Sequence, residues 1–255
     1  MLGPLFYEYL LYTADLPTTA DSTTATFADD TAVLTTHEDP ATATRKLQTH
    51  LNKIQLWLKK WRMKANETKS FQVTFTLKKN TCPPVHLNNK QLTHTDDVKY
   101  LGIHMDRKLT WRKHISTKRK QLDLKLRKLY WIIGRKSHLS LENKLLVYKA
   151  ILKHIWTYGV QLWGSASNSN MEILERFQSK VLRIITDAPW YVPSAVIVRD
   201  LQVLSVRQEV RNYSVTYRQR VNDHPTSLTK YLFQRPNYNR RLKRYYLADL
   251  ATIFN

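Results

Sequence analysis

Cysteine occurs once in the 255 residues, as Cys82, and glycine only five times. A lone thiol excludes an internal disulfide framework and any multi-cysteine zinc ribbon or knuckle. It points to a reducing compartment, nucleus or cytoplasm, rather than to a secreted protein. Five glycines and nine prolines leave little material for long disordered linkers. Acid is scarce as well: 20 Asp and Glu face 41 Lys and Arg, for a net charge of +21 and a pI near 10.0. An excess of that size points to a polyanionic partner. Nucleic acid fits better than a membrane surface, because no basic segment has the Trp/Phe-anchored character of an interfacial helix. Residues 1–11 are apolar but carry Glu8 and no basic n-region, which predicts neither a signal peptide nor a membrane span. No internal repeat or low-complexity run is present, and the length suits one large domain or two smaller ones.

What the chain does have is patterned. Residues 1–17 read as a short helix followed by a loop opened by Pro17. Ahead of Asp29-Asp30 stand small, β-branched and apolar residues, and after them Thr31, Val33 and Thr35 alternate with Ala32 and Leu34. This predicts two strands joined by a tight turn with both aspartates at its tip. On the local pattern alone, a hairpin ending in two solvated carboxylates is the simpler reading. A divalent cation held between the pair and nucleotide phosphates is the alternative.

Asp39 and Pro40 then predict the start of a helix with Leu47, Leu51, Ile54, Leu58 and Trp61 as its apolar stripe. Alternation of Phe71, Val73, Phe75 and Leu77 predicts a strand over 70–77, broken by Cys82-Pro83-Pro84. Asn88-Asn89 reads as a turn between short strands, and 98–105 as a further strand. Cys82, His86 and His94 lack a fourth ligand at metal spacing, and Asp96-Asp97 reads as surface. Together these elements predict an α+β arrangement: a mixed sheet with helices on one face.

After Asp106 the composition shifts to cations and helical periodicity. Leu122, Leu126, Leu129 and Ile133 mark the core stripe of a basic helix. Further helices are expected from a Ser140 cap, from about Asn170, from a Ser194 cap and along Val206–Val221, an all-α bundle. Tyr158, Trp156 and Trp163 are expected in its core. Arg240-Arg241-Leu242-Lys243-Arg244 forms a basic cluster in the tail. The implied domains are 1–106, 107–190 and 191–255.

Several of these words resemble a known family. Phe27-Ala28-Asp29-Asp30 looks like the aromatic-x-Asp-Asp box of reverse transcriptases, in the form typical of non-LTR retrotransposons. Leu2-Gly3-Pro4, Leu11-Tyr12-Thr13-Ala14-Asp15-Leu16-Pro17 and the run from Phe27 to Leu34 are similar to the jockey-like (LINE-type) clade, and the likeness continues nearly to the last residue. It implies a partial polymerase palm over 1–106, a helical thumb over 107–190 and a basic helical extension over 191–255. It also implies RNA-directed DNA synthesis, in which two Mg²⁺ (or Mn²⁺) ions support nucleotidyl transfer onto a primer 3′ end. The partners would be an RNA template, a DNA primer and deoxynucleotides.

Carried over residue by residue, the likeness makes Asp29 the stronger metal ligand and Asp30 the adjacent supporting carboxylate, with Phe27 beneath the primer end. Asn66-Glu67-Thr68-Lys69-Ser70 resembles the family's Asn-x-x-Lys-Thr/Ser word, which makes Lys69 a candidate general acid to pyrophosphate. Locally it reads as a solvated lysine. Val98-Lys99-Tyr100-Leu101-Gly102-Ile103, with Asp106-x-x-Leu109-Thr110-Trp111-x-x-His114-Ile115, is similar to the primer-grip region. Tyr100, Leu101 and Gly102 would meet a primer phosphate there, the glycine admitting close backbone approach. Arg112, Lys113, Lys118, Arg119, Lys120, Lys125, Arg127 and Lys128 would contact the template–primer backbone, and Tyr130 and Trp131 could pack or stack. Met1-Leu2-Gly3-Pro4 looks like the end of the word Gln-Gly-Ser-Val-Leu-Gly-Pro. The fingers, the first catalytic aspartate and the endonuclease region are therefore expected from elsewhere in the same element, and the metal ligands here are not self-sufficient. The alternative is a catalytically incomplete nucleic-acid-binding remnant.

Overall fold

A computed structural model of the chain describes residues 13–79, 81–225 and 250. The chain divides into two compact units, 1–98 and 99–255. The helix expected over 1–17 and the basic cluster at 240–244 lie outside the described residues, apart from the segment that begins at Thr13.

In the first unit, β1 (Thr23–Phe27) and β2 (Asp30–Leu34) pair antiparallel with a five-residue register from Thr23↔Leu34 to Phe27↔Asp30. Alternating Thr and Ala favour this extended ribbon, which buries none of its residues fully. Helix α1 (Pro40–Lys60) starts as expected: the Asp39 carboxylate accepts the Thr42 N–H at 2.8 Å, and Pro40 fills the first turn.

The buried line of α1 is Ala43, His50, Ile54 and Trp57, rotated from the predicted stripe. Leu47 and Leu51 are partly buried, while Trp61 caps the helix at 38% exposure. The rotation has a polar cause. His50 is fully buried; its Nε2 donates to the Pro17 carbonyl at 2.8 Å, leaving Nδ1 to accept from the Ser22 hydroxyl. The Trp57 indole donates to Asp15 at 3.0 Å. Three ring nitrogens thus staple residues 15–22 along the helix.

The strand expected over 70–77 contracts to β3 (Phe71–Gln72), which pairs parallel with β6 (Thr93–His94). Phe71, Phe75 and Leu77 are exposed, and the buried residue is Gln72. Its Oε1 accepts the Val85 N–H at 3.0 Å and its Nε2 donates to the Pro83 carbonyl at 2.8 Å. This side chain supplies the pairing that Pro83 and Pro84 deny to a backbone ladder. The Asn88-Asn89 turn forms as predicted between β4 (His86–Leu87) and β5 (Lys90–Gln91), both asparagines taking left-handed φ of 51° and 59°. Val85, Leu87 and Leu92 make a small core with Leu47, Leu51 and Ala65.

The strand expected over 98–105 is a hairpin: β7 (Asp97–Tyr100) and β8 (Ile103–Asp106) pair across Leu101-Gly102, at φ 45° and 77°. Among the described residues the strands form four separate two-stranded ribbons, not one mixed sheet. The α+β class stands, but runs of two to five residues interrupted by turns cannot align into a wider sheet.

The second unit is built on α2 (Arg112–Ile133), whose Leu122, Leu126, Leu129 and Ile133 are buried as the spacing predicts. It packs on α6 (Asn168–Thr186). Between them run α3 (Leu141–Val147), capped by Ser140, a π-helical stretch Tyr148–Lys153, α4 (His154–Thr157) and α5 (Val160–Trp163). Trp156, Trp163, Tyr148 and Phe177 fill the core. Tyr158, expected there, is half exposed. The remaining described helices are α7 (Ser194–Asp200), where Pro193 rather than Ser194 takes the cap position, and α8 (Val206–Asn222), which opens on a Ser205/Gln208 capping box.

A compact knot launches α2. The Asp106 carboxylate accepts the Thr110 N–H at 3.0 Å and the Trp111 N–H at 2.9 Å, while Leu109 N–H closes on the Asp106 carbonyl at 2.7 Å. Leu109 and Trp111 both sit at positive φ, 50° and 63°. Trp111 is buried and donates its indole N–H to Ser165 at 3.0 Å. One turn on, buried His114 accepts the His104 N–H on Nδ1 at 3.3 Å, so its proton sits on Nε2.

Removing the Asp106 carboxylate leaves the Thr110 and Trp111 N–H groups, the second at a strained position, without their acceptor. Asp106→Ala is expected to lower unfolding free energy by about 2–4 kcal/mol in denaturant titration, and Asp106→Asn by less. His114 adds a pH dependence. Burial, then the charges of Lys118 and His104, push its imidazole down to about 4, from an ordinary value of 6.5. The folded state therefore favours the neutral ring. Its contribution is complete above pH 6.5 and is lost as pH falls toward 4, about 3 kcal/mol in all. Denaturant midpoints measured at pH 7 and pH 4.5 should converge in His114→Phe relative to the parent chain.

Candidate catalytic hairpin and nucleic-acid interface

The β1–β2 turn is two residues long. Phe27 and Asp30 form the last cross-strand pair, so Ala28 and Asp29 make the loop and Asp30 opens β2. Ala28 takes φ 49°, a left-handed conformation that its small side chain tolerates at modest cost. Asp29 and Asp30 are both exposed, with Phe27 beside them at 63% exposure. The aspartates expected together at the tip are thus adjacent, one in the loop and one on the first rung of the ladder. No described cationic side chain forms an ion pair with either. Hard carboxylate oxygens suit Mg²⁺ or Mn²⁺. Among the described residues, however, no cluster of three His, Cys, Asp or Glu forms a complete metal site. The donor set fits part of such a site.

Lys69 ends a 3₁₀ turn, Glu67–Lys69, just before β3. Asn66 organises it: its Oδ1 accepts the N–H groups of Thr68 at 3.1 Å and Lys69 at 3.3 Å. The Asn-x-x-Lys spacing is therefore a cap and the residue it presents. The Lys69 side chain is exposed.

In the second unit, Tyr100 ends β7 and Leu101-Gly102 form the turn into β8. Tyr158 lies against this turn. Its hydroxyl donates to the Leu101 carbonyl at 2.6 Å, and a Cβ at Gly102 would stand 3.3 Å from its ring. The Lys118 ammonium lies 5.1 Å from the Tyr158 ring centroid. Its pKa is lowered by burial and then by the charge of Lys99. Lys118, Tyr158 and Leu101-Gly102 thus converge on one spot, with Lys99 near enough to repel the ammonium.

The remaining α2 cations divide by face. Arg119 pairs with Asp123 at 3.2 Å and lies 4.9 Å from the Phe177 ring centroid, a packing role toward α6. Arg112, Lys113, Lys120, Lys125, Arg127 and Lys128 are exposed. Sequence reasoning did not single out Tyr158 at the turn, nor the roles of His50, Gln72 and Asp106. The local signal for Asp106 was present, a carboxylate four residues before Thr110 and five before Trp111, as in a side-chain-capped turn.

A family profile described as "Reverse transcriptase (RNA-dependent DNA polymerase)" matches residues 1–105. Curated relatives extend the likeness over nearly the whole chain. The "RNA-directed DNA polymerase from mobile element jockey" of Drosophila melanogaster is 36% identical over 99% of the chain, covering 29% of that protein. The "Probable RNA-directed DNA polymerase from transposon X-element" of the same species is 37% identical over 99% of the chain and 28% of its own length. The jockey polymerase of Drosophila funebris is 35% identical over 98% of the chain. The chain thus spans under a third of these relatives' length. No solved structure gives a significant match.

The Gly102 geometry makes a direct prediction. A side chain there must hold a left-handed φ of 77° and press on Tyr158. Gly102→Ala is expected to cost about 1–2 kcal/mol of unfolding free energy in thermal or denaturant melts, and a second Tyr158→Ala change should recover only the steric part.

Proposed function

Starting from a chain that belongs to the reverse transcriptases of jockey-like non-LTR retrotransposons, we propose that it supplies the metal-bearing hairpin and the nucleic-acid-gripping helices of an RNA-directed DNA polymerase. The observation that carries this reading is the pair of exposed, unneutralised carboxylates, Asp29 and Asp30, held next to each other at a two-residue turn. Divalent ions bound by such a pair and by further ligands would activate a primer 3′ hydroxyl and neutralise departing pyrophosphate. In this scheme Asp29 and Asp30 each give carboxylate oxygens to the metals. Lys69 offers a proton or a charge to the leaving phosphates from its capped turn.

The Leu101-Gly102 turn presents backbone without a side-chain shield, as close approach of a primer phosphate needs. Lys118 is near enough to neutralise that phosphate. The exposed cations of α2 bind the duplex through its phosphates, without reading sequence. RNA template, DNA primer and deoxynucleotides are the proposed partners, and nucleus or cytoplasm the proposed location. No described helix is long and apolar enough to cross a membrane.

A second reading has its own observation. Two carboxylates without a third acid nearby among the described residues are consistent with a chain that binds a duplex but lacks catalysis alone.

Primer extension separates the two. On an RNA template with a DNA primer and Mg²⁺, the 255-residue chain is expected to be inactive by itself. Joined to the upstream polymerase segment of a jockey relative, it should extend the primer, and Asp29→Asn should reduce extension by at least about 10²–10³-fold. Absence of activity from the joined protein would remove the catalytic reading. The binding function is checked by salt. Each phosphate contact from α2 should add about −0.7 to −0.9 to the slope of log affinity against log salt, and an affinity that hardly changes with salt would exclude phosphate contacts.

A further inference from the structure

We infer that the second unit carries a stacking platform for unpaired bases, formed by Trp131 on α2 and by Trp190-Tyr191 on the loop after α6. The inference rests on the nucleic-acid reading above and adds a second ligand class to it: single strands, beside the duplex bound through phosphates.

Trp131 is 76% exposed. It projects from the side of α2 opposite the Leu122–Leu126–Leu129 stripe, since five residues after Leu126 turn the helix by about 140°. Arg127 and Lys128 stand one helical turn before it on α2, and Arg135 follows just beyond the helix end, where Gly134 turns extended. Arg135 donates from Nε to the Asp187 carboxylate at 3.1 Å, which ties the end of α2 to the residue that closes α6. Three residues further on come Trp190 and Tyr191, 88% and 69% exposed, with ring centroids 6.1 Å apart at 80°.

This loop is built. The Arg183 guanidinium donates to the Pro189 carbonyl at 2.7 Å and to the Val192 carbonyl at 2.5 Å, and it also reaches the Ser194 hydroxyl. Val192 packs on the core. The residues on both sides of the aromatic pair are therefore anchored, while the two rings are held out in solvent. A folded chain gains by covering such rings, so a loop fixed from within that leaves them bare offers them to a ligand.

The chemistry around the rings selects the ligand. Arg127, Lys128 and Lys136 are exposed on this stretch of α2 and its continuation, and the acid that joins the two segments, Asp187, is already paired with Arg135. Aromatic faces interleaved with cations suit a polyanion whose bases are free to stack. In a duplex those base faces are covered by one another, so the rings discriminate in favour of an unpaired strand.

The test compares binding of the full chain to a single-stranded RNA of about 12 nucleotides with binding to an RNA–DNA duplex of the same sequence, by fluorescence anisotropy. Trp131→Ala and the double change Trp190→Ala/Tyr191→Ala are each expected to weaken single-strand binding about tenfold or more. Duplex affinity should stay within about twofold, with the salt slope unchanged because no charge is altered. Trp131→Phe and Trp190→Phe should keep most of the single-strand affinity, which separates stacking from a folding defect. Equal losses on both ligands, or no loss on the single strand, overturn the inference. So does sedimentation showing that the double change abolishes self-association while leaving single-strand binding intact, which would assign the rings to a second copy. Salt-dependent duplex binding together with single-strand binding indifferent to the rings would sink this inference alone. Failure to bind either nucleic acid would sink the phosphate-binding reading with it.

Discussion

The second unit depends on one carboxylate. Asp106 accepts two consecutive backbone N–H groups, from Thr110 and Trp111, and in doing so holds a segment that crosses into left-handed φ twice within three residues. A non-glycine residue at positive φ resists that geometry; hydrogen bonds to a charged acceptor, each of about 1.5–3 kcal/mol net, offset it. The result fixes where α2 begins. Trp111 is placed where its indole reaches Ser165, and His114 where its imidazole receives the His104 N–H. Because β8 ends at Asp106 and α2 begins six residues later, the Leu101-Gly102 turn and the first cations of α2 share one support. The Asp-x-x-Leu-Thr-Trp-x-x-His-Ile word is thus a structural device that positions two surfaces at once.

Charge on α2 is spent in two different ways. Arg119 lies over Phe177 and bonds Asp123, and Lys118 is drawn partly under Tyr158, where burial lowers its pKa. These cations contribute packing, with their stems covering apolar surface. Lys120, Lys125, Arg127 and Lys128 remain in water. A helix that repels itself along one face would be a poor design for stability alone, since like charges three and four residues apart cost about 0.2–0.5 kcal/mol per pair. The buried stripe from Ile115 to Ile133 outweighs that cost, at roughly 1.5–3 kcal/mol for each fully buried apolar side chain. The apolar face keeps the helix formed, and the exposed face is left available to phosphate.

The helical unit was the more legible half of the sequence. Helices with a long apolar stripe and a cap announce themselves, and the caps at Asp39 and Ser140, together with the stripe through Leu122 and Leu126, appear where the pattern places them. The small strands were less legible, for a physical reason. Alternation over 70–77 promised an apolar face, yet the fold buries Gln72 because its amide can bond both Val85 and Pro83. Likewise α1 turns His50 and Trp57 inward because the Nε2–H of His50 and the indole N–H of Trp57 each find an acceptor in residues 15–17, while His50 Nδ1 accepts from Ser22. Periodicity counts apolar positions and cannot see a polar group that is buried because its partner is waiting. At the candidate site the pattern placed the Asp pair at a turn, but it read 98–105 as one strand and so missed both the Leu101-Gly102 turn and Tyr158, far along the chain, closing over it.

The Asp29-Asp30 hairpin itself shows how stiffness is distributed. Its base is tied down. His50 is buried and bonds Ser22, Lys46 pairs with Asp21 at 2.6 Å, and the Thr35 hydroxyl donates to the Ala43 carbonyl at 3.2 Å. Five cross-strand pairs then carry the ribbon outward to a tip that buries none of its own side chains. Order along such a ribbon decays with distance from its last anchor, and at the tip two adjacent carboxylates repel each other. The chain supplies no described cation there, although cations outnumber acids two to one in its composition. A surface loop selected for stability alone would gain from a lysine beside that pair. Leaving the acids uncompensated makes sense where the compensating charge arrives with the ligand, because a resident ammonium would compete with a metal ion for the same oxygens. The position of the negative charge, more than the shape of the turn, is therefore what the proposed phosphoryl-transfer role of this hairpin rests on.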